Sequence, residues 1–144
     1  MDLTALPFDD LDPQDAYAAW RLRQDVFVLE QECLYADLDG RDTEPATRHV
    51  LLKDGTGEVV GYCRVLSDPE TWRIGRVVLR RDARGQGLAD QVVRRALEEC
   101  SGRDVVLDAQ APLAGWYATF GFARDGEDFV EDGIPHTPMR LRRD

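Results

Sequence analysis

The chain is poor in histidine and cysteine. Two histidines (His49, His136) and three cysteines (Cys33, Cys63, Cys100) in 144 residues show no metal-ligand or redox spacing, so no metal site is expected. Cys63 and Cys100 fall within strand and helix patterns and are expected to be buried thiols. The chain also lacks positive charge: 18 Lys and Arg against 28 Asp and Glu give a net charge of −10. That balance argues against nucleic-acid binding, which needs a basic footprint, and agrees better with a cationic small substrate or peptide. No apolar run approaches the ~20 residues that cross a bilayer, and no signal peptide is expected before Asp2. A cytoplasmic protein without membrane contact is the expectation. With 43% hydrophobic and 32% charged residues, the chain suits a single domain over 1–144.

The richest stretch runs from Arg73 to Cys100 and reads as strand, glycine-interrupted loop, helix. Ile74–Leu79 is a β-branched and aliphatic run of strand length. Gly85-Gln86-Gly87 then opens a helix whose apolar positions 88, 89, 92, 93, 96, 97 and 100 recur at three- and four-residue steps. A helix N-terminus presents unpaired N–H groups and about half a positive charge, and glycine lets an anion approach its backbone closely. Arg84 adds a fixed positive charge beside it, with Arg80 and Arg81 nearby.

Along the chain, Leu3–Phe8 reads as a short strand. Asp12-Pro13 starts a helix to about Glu30. Residues 30–44 are acidic and irregular, with Asp37, Asp39, Asp42 and Glu44 expected to form a solvated loop in preference to an amine-attracting rim. His49–Lys53 and Val59–Leu66 form a hairpin about Asp54-Gly55-Thr56-Gly57. Asp104–Gln110 is a further strand, Leu113–Phe120 a short helix closed by Gly121, and Phe122–Phe129 with His136–Leu141 a final antiparallel pair. By periodicity this is a mixed α/β chain.

Three phosphate-binding patterns compete for the glycine loop. A Walker loop needs Gly-Lys-Ser/Thr, which is absent. A dinucleotide fingerprint needs a third small residue where Asp90 sits. The remaining pattern, Arg/Gln-x-x-Gly-x-Gly/Ala, is met by Arg84, Gly87 and Ala89, and here the stretch resembles the pyrophosphate loop of the GNAT family of acetyl-CoA-dependent acyltransferases. Tyr117-x-x-x-Gly121-Phe122 resembles that family's second cofactor motif. Arg23-x-x-Val26-Phe27-Val28-x-Glu30-Gln31-x-Cys33-x-Tyr35-x-Asp37-x-Asp39-Gly40-x-Asp42, Arg48-His49, Asp108-Ala109-Gln110-Ala111 and Glu131-Asp132-Gly133-Ile134-Pro135-His136 resemble its ElaA-type branch. One departure is Leu34, where relatives often carry proline.

The resemblance implies the GNAT acyl-CoA N-acyltransferase fold, α/β with a mixed central sheet flanked by helices. It implies acetyl-CoA as donor, no metal, and acetyl transfer to a primary amine by direct attack. The cofactor-binding residues it implies are Val77, Val78, Leu79, Arg84, Gly85, Gln86, Gly87, Leu88, Ala89, Gln110 and Tyr117. Tyr117 is expected to protonate the leaving thiolate. For the base, Glu30 is taken first, at the end of the first helix on the acceptor side, with Asp108, Asp132, His49 and His136 as further candidates. His49 and His136 lie at strand starts, where either could be exposed. Two other readings remain: a non-catalytic acyl-CoA-binding or sensing module, and an acyl-homoserine-lactone-synthase-like enzyme. The acceptor, acyl length and oligomeric state, homodimer included, stay open.

Overall fold

The computed structural model describes residues 1–143. Strand β1 (Asp2–Leu6) precedes α1 (Pro13–Arg23), whose start is fixed by Asp12: its carboxylate accepts the Gln14 N–H at 2.8 Å, with proline at the first helical position. The helix runs on to Glu30, but Gln24–Glu30 winds as π-helix, with the Gln31 N–H reaching the Val26 carbonyl. Such wide turns often mark functional sites. Strands β2 (Arg48–Lys53) and β3 (Val59–Ser67) follow, joined by a turn in which Asp54 accepts the N–H groups of Thr56 and Glu58. Then come β4 (Thr71–Leu79), α2 (Leu88–Glu98), β5 (Asp104–Gln110), α3 (Ala114–Ala118), and β6 (Ala123–Arg124), β7 (Phe129–Glu131) and β8 (Ile134–Leu141).

Among the described residues eight strands join one sheet in the order β1-β2-β3-β4-β5-β8-β6, with β7 also on β8. Of these described strands only β4 and β5 run parallel; the other pairs are antiparallel. Side chains alternate between the sheet's faces. Val50 and Leu52 enter one core with Leu88, Val92, Val93 and Ala96 of α2, while Leu51 and Tyr62 enter the other with Ala19, Leu22 and Val26. The sheet is thus sandwiched between α1 and α2. The expected buried thiols are found: Cys63 and Cys100 are 0% and 1% exposed, and burial pushes the Cys100 thiol up to about 12.

Three expectations need correction. The long strand over Phe122–Phe129 is two short pieces, because Asp125-Gly126-Glu127-Asp128 has little strand propensity and the Asp125 N–H turns to the Pro138 carbonyl. The helix over Leu113–Phe120 shrinks to α3, preceded by a 3-10 turn at Ala111–Leu113 that contains Pro112. The acidic run is only partly solvated: Asp39 is exposed, but Asp37 and Asp42 are 9% and 6% exposed, for reasons given below.

Candidate active site

The parallel pairing of β4 with β5 lasts three residues, Thr71–Arg73 against Asp104–Val106, and then stops. Opposite this point the β3–β4 register slips between Tyr62 and Arg64, so β4 carries one extra residue, and Arg76 sits there at φ +55°. A bulge of this kind bends its strand and re-aims its neighbours. The two strands diverge around a cleft of about 660 Å³. Val77, Val78 and Leu79 line one wall, Asp108 and Gln110 of β5 with Tyr117 and His136 line the other, and Phe27, Glu30 and Gln31 border it from the π-helical end. A second depression of about 620 Å³ between α1 and the β2–β3 turn mixes Arg21, Arg80 and Arg81 with Asp15, Asp25 and Glu58, and holds none of the strand residues that meet in the first.

Of the residues singled out from the sequence, Val77, Val78, Leu79, Arg84, Gln110, Tyr117 and Glu30 meet in this cleft. Gly85, Gln86, Gly87, Leu88 and Ala89 are not part of its lining; they follow directly from Arg84 and lead into α2. Gly85 and Gly87 take φ of +77° and +76°, a left-handed conformation that side chains rarely adopt, and residues 85–87 are exposed. Gly87 caps α2 without a side chain, so the first N–H groups of the helix are left for a ligand or water. The Leu88 side chain is buried in the core, leaving only its main chain to offer.

Arg84 differs from expectation. Its guanidinium is bidentate to Glu30, at 2.8 and 3.0 Å, and also donates to the Leu79 carbonyl at 3.1 and 3.2 Å. The charge is therefore offset by a carboxylate, and the side chain ties the end of β4 to the end of the π-helix. Arg84's hydrogen bonds hold the Glu30 carboxyl below the usual carboxylate range, with Arg81 adding attraction at 3.5 Å. Arg80 is engaged with Asp82 and Glu58.

Tyr117 is 6% exposed, between Trp116 at 4.7 Å and Phe122 at 6.2 Å, and burial raises its phenol well above the ordinary range. Its hydroxyl makes no hydrogen bond to another described residue, though it belongs to a cleft-lining side chain. Trp116 donates its indole N–H to Asp90 at 2.8 Å, fastening α3 to the first turn of α2. Sequence reading noticed Asp90 only as a misfit to the dinucleotide pattern.

Behind the β4 bulge lies an ion-pair network with no local signature in the sequence. Arg23, fully buried, donates to Asp37 at 2.9 Å and Asp42 at 2.8 Å. Arg64, 3% exposed, pairs with Asp39 and Asp42, and Arg76 lies 2.9 Å from Asp37 and over the Tyr35 ring. Burial alone would push the Asp42 carboxyl up, yet hydrogen bonding and attraction from Arg23 and Arg64 hold it below its usual range. A hydrogen bond from Arg64 does the same, more strongly, for Asp39. His49 belongs to this network and not to the cleft. It is fully buried rather than exposed, with Nε2 donating to the Asp42 carbonyl at 2.8 Å and Nδ1 accepting the Tyr62 hydroxyl at 2.6 Å. The carbonyl can only accept, which fixes this tautomer.

Among the described residues no group of His, Cys, Asp and Glu could hold a metal ion, and no helix is long and apolar enough to cross a membrane. A family profile described as an acetyltransferase (GNAT) domain matches residues 10–143. A UPF0039 protein of Mycobacterium tuberculosis is 45% identical over 134 residues, 90% of this chain and 86% of the relative. Protein ElaA of Escherichia coli is 39% identical over 141 residues, 93% of this chain and 92% of the relative. The crystal structure of E. coli ElaA superposes with a TM-score of 0.93 at 36% identity, covering 99% of this chain and all of that one. An acyl-CoA N-acyltransferase structure from Pseudomonas aeruginosa gives 0.92 at 36%, covering 98% and 99%. With the splayed β4–β5 cleft, the glycine loop and these matches together, the chain belongs to the GNAT acetyltransferase family and has its fold, alongside ElaA and the UPF0039 proteins.

Proposed function

We propose that the protein moves an acetyl group from acetyl-CoA to a primary amine by direct attack in the β4–β5 cleft. The observation that carries this reading is the early end of the β4–β5 pairing, which leaves the main chain of Val77, Val78 and Leu79 beside an open cleft whose mouth continues into the glycine loop. The pantetheine arm would add to β4 as an extra strand, and the pyrophosphate would sit on the main-chain N–H groups of residues 85–89. Gln110, which bonds Gln31 across the cleft at 3.2 Å, would turn its amide to the pantetheine. Family membership and a P. aeruginosa neighbour named as an acyl-CoA N-acyltransferase support a CoA-type donor. Acetyl as the acyl group, an amine as the acceptor, and a cytoplasmic location are our reading.

A thioester is already activated, so the protein's task is to present a neutral amine to it. An amine of pKa ~10.4 is neutral in about one molecule in 2,500 at pH 7, a cost of roughly 4–5 kcal/mol that a base can offset. An N–H of β4 beside the bulge would stabilise the oxyanion. Tyr117, kept protonated by burial, would give its proton to the departing thiolate. Glu30 is the weaker choice of base while Arg84 holds it, and in this reading it anchors Arg84 at the cleft mouth.

A thiol-release assay with acetyl-CoA against polyamines, amino acids, aminoglycosides and lysine peptides tests the reaction. Calorimetry with CoA tests the cleft. Tyr117→Phe is expected to lower turnover about 10- to 1,000-fold with folding intact, a thiolate being a fair leaving group unaided. Unchanged turnover at saturating acetyl-CoA removes the acid role. CoA binding without thiol release from any amine would favour a sensing module instead.

A further inference from the structure

We infer that His136 is the general base that deprotonates the acceptor; this rests on the cleft being the acyl-transfer site. His136 stands on β8 opposite Gln110 of β5, on the wall that also carries Tyr117. Its Nδ1 lies 2.8 Å from the Ile134 carbonyl. A carbonyl can only accept, so Nδ1 carries the hydrogen and Nε2 the lone pair in the neutral ring. The ring is also stacked on Phe129, with centroids 5.6 Å apart and planes 18° from parallel. Orientation and tautomer are thus both set by neighbours, and Nε2 has no hydrogen-bond partner among the described residues. That is the state a base needs before substrate arrives.

The other candidates are committed elsewhere. Glu30 is bidentate to Arg84, and Asp108 is paired with Arg73 at 3.1 Å. Both nitrogens of His49 are engaged in a buried network. Asp132 sits in the β7–β8 turn at φ +52° and is exposed. The titratable and charged groups that line the same cleft include Glu131 and Asp132 from the hairpin, Asp108 from β5, Tyr117 from α3, Cys33 and Glu30 from the π-helical end, and Arg73, Arg76 and Arg84 from β4 and the loop after it.

The step balances as follows. His136 Nε2 takes one proton from the acceptor ammonium and later passes it to solvent. The freed lone pair forms the C–N bond at the thioester carbon and the carbonyl pair moves onto oxygen; as the carbonyl re-forms, the C–S pair leaves on sulfur. Sulfur takes the Tyr117 hydroxyl proton, and the second proton shed by the attacking nitrogen returns to the Tyr117 oxygen. Amide, thiol and one released proton result.

Because the chain has two histidines and one is sealed, diethyl pyrocarbonate is a direct probe. The folded wild type should gain one histidyl adduct, absorbing near 240 nm, and His136→Gln none. Two adducts, or one that persists in the variant, overturn the assignment. Thiol release from acetyl-CoA with n-butylamine is then followed from pH 5 to 9. The wild-type rate should rise with pH along a limb that His136→Gln lacks, with turnover at pH 7 lowered about 100-fold and CoA affinity by calorimetry unchanged. Equal thiol release by the two proteins at every pH overturns the inference while CoA still binds. Loss of CoA binding by the wild type is a different result, and removes the cleft reading instead.

Discussion

The loop of residues 35–44 carries four acids and buries two of them, whereas the loop of residues 84–89 leaves its main chain in the open at Gly85–Gly87. Both border the same cleft, and they use charge in opposite ways. In the acidic loop, Asp37, Asp39 and Asp42 are held by Arg23, Arg64 and Arg76, so charge fixes backbone to sheet. In the glycine loop the one adjacent arginine is tied back to Glu30 and Leu79, and what faces outward is the unpaired N–H groups of a helix start. Side-chain charge here marks support, and bare main chain marks the place for a ligand. The comparison predicts that changes in the first loop cost stability, and changes in the second cost cofactor affinity.

The largest effect is expected for Arg23→Met. It leaves Asp37 and Asp42 without their shared partner in a site where Arg23 is fully buried, and breaking such a pair costs about 3–5 kcal/mol. Denaturant titration reads this directly. Arg76 depends on the same loop, lying 2.9 Å from Asp37, so the variant should also loosen the β4 bulge. A variant as stable as the wild type would mean the carboxylates reach water by local rearrangement, and the contrast between the loops would lapse.

Next comes Gly87→Trp. A bulky residue at φ +76° costs about 1–2 kcal/mol of backbone strain, and each displaced N–H contact to a phosphate adds about 1 kcal/mol or more. An acetyl-CoA affinity lower by roughly 30- to 100-fold is expected, with much less effect on the melting temperature than Arg23→Met has, because nothing lies within 4 Å of a Cβ at this position. Unchanged affinity by calorimetry would move the phosphate site elsewhere.

The difference between the loops also explains what could be read from the sequence. The helix α2 announced itself because Leu88, Val92, Val93 and Ala96 repeat at helical spacing and all are buried on one core. Strand β5 was legible to its ends, Asp104 and Gln110. The glycine loop carries its signal locally, in a few adjacent residues. The acidic loop does not: Asp42 meets Arg23 across 19 positions, Asp39 meets Arg64 across 25, and Asp37 meets Arg76 across 39. Composition there indicated only polarity, and polarity suggested solvent. The Asp90–Trp116 bond was illegible for the same reason, its partners being 26 residues apart.

The smallest effect, and the sharpest check on the buried network, is its pH dependence through His49. Burial lowers the His49 pKa in the folded protein, so the unfolded chain, with an imidazole near 6.5, binds more protons as the medium turns acid. Stability contributed by neutral His49 is therefore complete above about pH 6.5 and is lost as pH falls below it. Protonation would place a hydrogen on Nδ1, against the hydroxyl that Tyr62 donates, while Nε2 already serves the Asp42 carbonyl. The carboxylates of the network act in a lower window: Asp39 and Asp42, held down by their arginines, give up stability only as the pH drops through and below the ordinary carboxylate range near 4. The two contributions separate along the pH axis. Unfolding free energies measured between pH 7 and 5 should fall in the wild type and stay flatter in His49→Gln. Should both proteins show the same slope, the ring is not the titrating group, and the acidic loop is pinned to the sheet by its arginines alone.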